Sequence, residues 1–362
     1  MLDSLRVAVE QVAQLPVLVS LVAGSLLGII IGAIPGLGPG VAIAILLPLT
    51  FSLDPLSGIT LLMGVYAGAW YGGAIPAILI NTPGTGVSVL TTYDGYPMTR
   101  NGQPQRALSI AYASSFFGGT ISVLILVFAA PLLAEFAKNF GAADLAAAAA
   151  LAMVLVVTAH KGAALAAASM LGLGLFLSTI GLEGAYGSPR YTFGTTWLLG
   201  GIPLVAVILG LFAMSQGFQL IASKGNKPPA PPEMKTDLFG GFIEVLSYPK
   251  TLLRSSGFGV AMGILPGVGE FLAQFFSYSA ARRGSKTPEL FGKGAPEGII
   301  ASEAANNAVP AAALVPLLAL GIPGEVLTAM MLAVFTVHNV DPGPRCFQNM
   351  RTLSLVCIFH CF

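Results

Sequence analysis

Charge is what this sequence has least of. Aspartate, glutamate, lysine and arginine make up 9% of its 362 residues, against 55% hydrophobic, where a soluble globular domain carries roughly 25% charged residues. A water-facing surface needs charge, so a chain this poor in it cannot clothe a soluble body of its size; lipid has to cover most of it. Excess of one sign is lacking too. Lysine plus arginine number 17, aspartate plus glutamate 16, for a net charge of +1, and without a basic face nucleic acid is excluded as a partner. Cysteine is confined to Cys346, Cys357 and Cys361, in the last 17 residues and without metal-ligand spacing, which excludes a disulfide framework. There is no GxxxxGK[ST] phosphate loop, no HExxH and no GxSxG elbow, and Gly36-Leu37-Gly38-Pro39-Gly40 is not a GxGxxG. ATP hydrolysis on this chain is not expected, and an intramembrane enzyme would need a paired nucleophile and base that the apolar segments do not supply. The start of the chain holds Asp3, Arg6 and Glu10 with no small-residue cleavage site, so its N-terminus is expected to be retained.

What is present is a succession of apolar segments. A membrane helix needs about 20 apolar residues to cross a core of roughly 30 Å. Candidate spans are 16–34, 57–80, 107–133, 143–158, 162–182 and 197–221, followed or interleaved by shorter stretches at 39–51, 255–265, 270–281, 308–320 and 326–340. A stretch of ~11 to 13 helical residues reaches only about half way across. Residues 222–256 read as a polar linker, with a proline-rich patch from Pro228 to Pro232 and Lys224, Lys227, Lys235, Lys250 and Arg254; a second basic loop holds Arg282, Arg283, Lys286 and Lys293. Lys/Arg-rich loops tend to stay cytoplasmic. With both on one side, 257–281 must enter the membrane and return, and the loop charges favour such a re-entrant hairpin over one kinked span.

The break in that hairpin occurs twice. Gly24, Gly28, Gly32 and Pro35-Gly36-Leu37-Gly38 match Ser255, Gly259, Gly263 and Pro266-Gly267-Val268-Gly269 at a constant offset of 231 residues. A second pair of breaks, Asn81-Thr82-Pro83-Gly84-Thr85-Gly86 and Leu320-Gly321-Ile322-Pro323-Gly324-Glu325, follows at an offset of 240. Proline removes a backbone donor and glycine permits unusual dihedrals, so each motif interrupts a helix inside the membrane. The freed polar groups cannot face lipid unsatisfied. They are expected to line a hydrated cavity, where helix N-termini hold a carboxylate and unwound carbonyls a cation. The small residues at intervals of four read as a packing groove for a neighbouring helix.

Polar residues at membrane depth add to this picture. Glu303 and Asn307 are four apart and share a helical face, with Asn306 beside them, where a carboxylate and two amides could hold a cation or share a proton. The other reading is a helix-start cluster at the interface. Glu325 and Glu270 each follow a break and are read either as functional or as solvated at an unwound turn. Asp94-Gly95-Tyr96-Pro97-Met98 reads as a surface turn, and His160 and His338 as lone interface residues.

The sequence resembles the large membrane subunit of the tripartite tricarboxylate transporters, the TctA family. The resemblance is carried by Gly32-Ala33-Ile34-Pro35-Gly36-Leu37-Gly38, Tyr71-Gly72-Gly73, Asn81-Thr82-Pro83-Gly84, Asp94 to Met98 and Gly263 to Gly269. It continues through Glu297-Gly298, Glu303-Ala304-Ala305-Asn306-Asn307, Leu320 to Gly324 and Pro342-Gly343-Pro344, over about residues 16–347. The resemblance implies a secondary transporter in a bacterial inner membrane, paired with a small membrane subunit and a periplasmic solute-binding protein that delivers a carboxylate. It implies a coupling cation, sodium or proton, and no other cofactor. Residues 345–362 do not resemble the family, and the chain stops where family members continue, so a truncated second repeat and a non-transporting structural or assembly subunit form the alternative.

The expectation is therefore an all-α polytopic transmembrane bundle of two repeats: 1–221, the linker 222–256, a second repeat at 257–344 and a tail at 345–362. The expected substrate contacts are Pro35, Gly36, Gly38, Asn81, Thr82, Pro83, Gly84, Thr85, Pro266, Gly267, Gly269, Asn306, Asn307, Gly321, Pro323 and Gly324. Glu303 is the candidate for ion coupling, and lipid is the surrounding solvent.

Overall fold

A computed structural model describes residues 10–35, 37–137, 141–159, 164–183, 188–202 and 240–343, with isolated positions between 206 and 222. The described chain is all-α apart from one two-residue antiparallel pair. In order it forms α1 (Leu15–Gly32), α2 (Pro39–Thr50), α3 (Pro55–Ile80), α4 (Val89–Arg100), α5 (Pro104–Ala137), α6 (Ala142–Ala159) and α7 (Ala164–Ser178). The pair β1 (Gly181–Leu182) and β2 (Pro189–Arg190) follows. Then come α8 (Gly240–Leu246), α9 (Pro249–Ile264), α10 (Gly269–Gly284), α11 (Pro296–Leu320) and α12 (Val326–Val337).

Local chemistry explains the boundaries. Proline opens α2, α3, α5, α9 and α11, where its missing N–H is one that no helix carbonyl could have accepted. Asp54 caps α3, its Oδ1 accepting from the Leu56 and Ser57 N–H groups at 3.1 Å. α3 and α11 both end on a left-handed residue, Asn81 at φ 55° and Gly321 at φ 74°. The next amides, Thr82 and Ile322, turn back to the Pro76 and Pro316 carbonyls at 3.2 and 3.3 Å.

Four of the described helices, 15–32, 55–80, 104–135 and 296–320, are long and apolar enough to cross a membrane. Two of these are inner and two outer. The spanning windows of α3 and α11 are 78% and 89% buried, those of α1 and α5 only 28% each, and the exposed positions of α1 include Leu15, Val19, Val22, Leu26 and Ile30. An apolar face left open in this way suits lipid.

The sequence repeat is also a repeat of packing. A Cβ on Gly28 would run into the backbone of Val65, and one on Gly259 into that of Ala305. Gly32 meets Ala69 in the same way, and Gly263 meets Val309. Each contact recurs with the first partner shifted by 231 and the second by 240. The glycine ridge thus seats α1 on α3 and α9 on α11. Further along, Gly84 abuts the Gly32 carbonyl and Gly324 the Gly263 carbonyl.

Some boundaries differ from the sequence reading. The polar stretch 222–256 is helical from Gly240 to Leu246 and again from Pro249; Glu244 there receives Arg106 of α5 at 2.5 Å. The apolar stretch 308–320 is the second half of the 25-residue α11, because Glu303 and Asn307 find polar partners and do not end the helix. Asp94 to Met98 is no surface turn but lies in α4, with Asp94 fully buried. Its Oδ1 accepts the N–H groups of Gly292, Gly294 and Ala295 at 2.8–3.0 Å, and its Oδ2 the Tyr278 hydroxyl at 2.7 Å. His338 is likewise partnered, its Nε2 lying 3.0 Å from Thr50 Oγ1. Most of the span expected at 197–221, together with His160, Gly36 and the tail from 344 onward, falls outside the described residues.

Candidate functional site

The four breaks meet. An open cavity of about 550 Å³ is lined by Gly38 to Val41 from the first, Thr85 to Val87 from the second, Gly267 to Phe271 from the third and Pro323 with Glu325 to Leu327 from the fourth, with Trp70 on its wall. At each break a helix begins: α2 at Pro39, the turn leading into α4 at Gly86, α10 at Gly269 and α12 at Val326. The first-turn N–H groups of a helix have no carbonyl of their own to bond, and the helix dipole places positive potential there. Gly40, Gly86, Val87, Glu270 and Phe271 bring such first-turn positions to the cavity. No lysine or arginine is among the described lining residues. Positive potential for an anion therefore comes from backbone.

Of the expected contacts, Gly38, Thr85, Gly267, Gly269 and Pro323 line this cavity. Pro35, Asn81, Thr82, Pro83, Gly84, Pro266, Gly321 and Gly324 are not among its lining residues. The Gly84 N–H donates to the Gly73 carbonyl at 3.2 Å, and the Gly324 carbonyl accepts the Gly267 N–H at 2.8 Å, tying the fourth break to the third.

Glu303, Asn306 and Asn307 form a separate polar knot inside the bundle. Glu303 and Asn306 are fully buried and Asn307 nearly so. The Glu303 carboxylate accepts from Thr91 Oγ1 of α4, from Ser115 Oγ of α5 at 3.0 Å and from Asn307 Nδ2 at 3.3 Å. Asn307 Nδ2 also donates to Ser115 Oγ at 2.7 Å. The Asn306 amide lies near the carboxylate, yet neither of its polar atoms makes a hydrogen bond with a described residue. Asn307 borders a small void of about 40 Å³ that Tyr66 and Trp70 also line, a volume that admits a water or two. Trp70 thus stands on both spaces, and Tyr66 donates to Glu325 Oε1 at 2.6 Å.

Several residues that matter here carried no strong sequence signal. Tyr66 and Trp70 sit in the apolar helix α3, with no motif to mark them. Glu325, read either as functional or as solvated at an unwound turn, caps α12, accepting the Leu327 and Thr328 N–H groups at 2.8 and 3.1 Å. Glu270 is 7% exposed, with Oε1 unpartnered among the described residues. The recurrence of an acid one residue past each second-half break was the available clue.

Comparison with known proteins gives one consistent result. The sequence model described as the tripartite tricarboxylate transporter TctA family matches residues 18–362, which takes in the tail that the sequence reading set apart. An uncharacterized 52.8 kDa protein of the TAR-I ttuC′ 3′ region of Agrobacterium vitis is 38% identical over 330 residues, 91% of this chain. The chain spans 66% of that relative's length. A protein of the TAR-II ttuC′ 3′ region of the same organism is 44% identical over 95 residues, 26% of this chain and 39% of that protein. No solved structure matches.

Proposed function

Because the chain belongs to the tripartite tricarboxylate transporter TctA family, and is thus a transporter component and not an enzyme, we propose that it is the permease subunit of a binding-protein-dependent secondary carboxylate transporter. The observation that carries this reading is the convergence of four helix starts on one cavity without a lysine or arginine in its described lining. Such a site suits an anion that must be released again: dipoles and amides hold a carboxylate less tightly than a bidentate arginine would. A cavity of this size admits a tricarboxylate or a related carboxylate. The proposed partners are a small membrane subunit and a periplasmic binding protein, and the proposed setting is a bacterial inner membrane.

The energy source proposed is a cation gradient, sodium or proton. Glu303 is the proposed coupling group, since an ionisable side chain held this deep in an apolar bundle is costly unless it has a task. The void beside Asn307, together with Tyr66, links its surroundings to Glu325 on the cavity wall.

The test is uptake of labelled carboxylate into vesicles holding this chain with its small subunit and binding protein. Uptake should need an imposed cation gradient and no ATP; uptake that requires ATP and persists without the gradient overturns the reading. Glu303→Gln and Asn306→Ala should each bring uptake to background with the protein still in the membrane. Normal uptake in both removes the knot from the mechanism.

A further inference from the structure

The cavity meant for an anion carries two carboxylates on its own wall. Glu270 opens α10 there, and Glu325 caps α12 on the neighbouring break. The Gly267 N–H bonds the Gly324 carbonyl at 2.8 Å, so the two breaks that carry these acids are tied together, and both side chains line the one cavity. Like charges at close range in a medium of low dielectric cost far more than in water, and no basic side chain of the described lining offsets them.

Their hydrogen bonding is unequal. Glu325 is engaged on both oxygens, by Tyr66, Leu327 and Thr328. Glu270 Oε1 has no hydrogen-bond partner among the described residues. Four residues on, hence on the same face of α10, Gln274 is fully buried, and neither its amide nitrogen nor its oxygen bonds any described residue. Buried polar atoms are almost always paired, and each orphan needs an explanation. Glu270 Oε1 belongs to a residue of the cavity lining and the two Gln274 atoms lie one turn behind it on the same helix face, so one explanation serves all three. A cation would take Glu270 Oε1, the Gln274 oxygen and the nearby charge of Glu325 together.

We propose that Glu270 and Glu325 on the cavity wall, with Gln274 buried one turn behind Glu270, form a monovalent cation site, occupied by sodium or by a shared proton. Its filling cancels the negative charge that would repel an incoming carboxylate. Anion and cation then bind cooperatively, each raising the other's affinity by the same factor. This linkage rests on reading the cavity as the carboxylate's site; the cation site itself rests only on the orphaned groups.

The experiment uses the intact complex in detergent without substrate. Its thermal midpoint is followed as sodium replaces choline at constant ionic strength, and again across pH in choline alone. Sodium should raise the midpoint of the wild type. Glu270→Gln should raise the cation-free midpoint, by ending the repulsion, and weaken the sodium response by about tenfold or more, the loss of one charge-assisted contact. Gln274→Leu should weaken the response without that rise, which keeps the proposal testable if one variant fails to accumulate. A pH response in place of a sodium response, lost in the same variants, identifies the occupant as a proton, with Glu325 and its Tyr66 hydroxyl the titratable groups beside Glu270. Variants that answer sodium and pH as the wild type does overturn the site. If carboxylate uptake fails while the variants still lose the cation response, the transport reading falls and the cation site stands.

Discussion

The two halves of this protein share a scaffold and differ in chemistry. At the offsets that superimpose their breaks, Glu270 falls on Pro39, Gln274 on Ile43, Glu303 on Met63, Asn307 on Ala67 and Glu325 on Thr85. The geometry is kept: Thr85 pairs with Ser88 at 2.9 Å where Glu325 pairs with Thr328. The charge is not. The first half gives the cavity backbone, Thr85 and Trp70, and the second half gives every acid the described lining holds. Duplication explains the shared scaffold, and the divergence falls on the residues proposed above for coupling. An anion needs exposed amides from both halves, whereas a cation needs carboxylates from only one.

The largest effect is expected where the halves are most alike. A Cβ on Gly84 would strike the Gly32 carbonyl and, at 2.9 Å, Gly73 Cα; one on Gly324 would lie 2.6 Å from the Gly263 carbonyl and 2.8 Å from Ala313 Cα. These obstacles are backbone and cannot turn aside. Overpacking of this kind costs about 1–3 kcal/mol and at times more, so Gly84→Val and Gly324→Val should each sharply reduce folded protein recovered by size-exclusion chromatography. A large loss in one and none in the other breaks the equivalence of the halves.

Asp94 tests the opposite case, since position 334, its counterpart, is Val334 inside α12. Asp94 gathers three backbone donors from the loop before α11 and the Tyr278 hydroxyl from α10, so it clasps one half to the other. Leaving a buried donor without an acceptor costs about 1–3 kcal/mol. Asp94→Ala should therefore lower the thermal midpoint strongly and Asp94→Asn less, because the amide oxygen can still accept. Equal, small shifts for both would deny the clasp.

The breaks, the repeat and the membrane class were legible in the sequence because glycine and proline act locally and apolar length is a direct signal. That the four breaks close on one cavity was legible only as an inference from unsatisfied backbone. Asp94 was misread for a physical reason. Asp-Gly and a nearby proline are turn chemistry, but here the helix continues through Pro97, and the carboxylate's real partners lie some 200 positions away in sequence. The orphaned faces of Glu270 and Gln274 were equally invisible, since a missing partner exists only once the neighbours are in place. Glu303 stood out because its amide neighbours lie on its own helix; its hydroxyl partners Thr91 and Ser115 come from α4 and α5, and no local pattern could name them.

The smallest effect, and the sharpest comparison, lies in the two helix ends. Asn81 and Gly321 occupy matching left-handed positions at φ 55° and 74°, and the amide after each bonds a proline carbonyl one and a half turns back. Asparagine tolerates this region and glycine meets no penalty in it, whereas a left-handed alanine costs roughly 1–2 kcal/mol. Asn81→Gly should then leave the thermal midpoint nearly unchanged, and Asn81→Ala should lower it. Gly321→Asn should cost more than its mirror change, because a Cβ there would sit 3.0 Å from the Pro342 carbonyl, a contact with a segment beyond α12. If Asn81→Gly proves as damaging as Asn81→Ala, the asparagine side chain and not the backbone conformation is what that end requires, and the resemblance between the two ends stops at their dihedral angles.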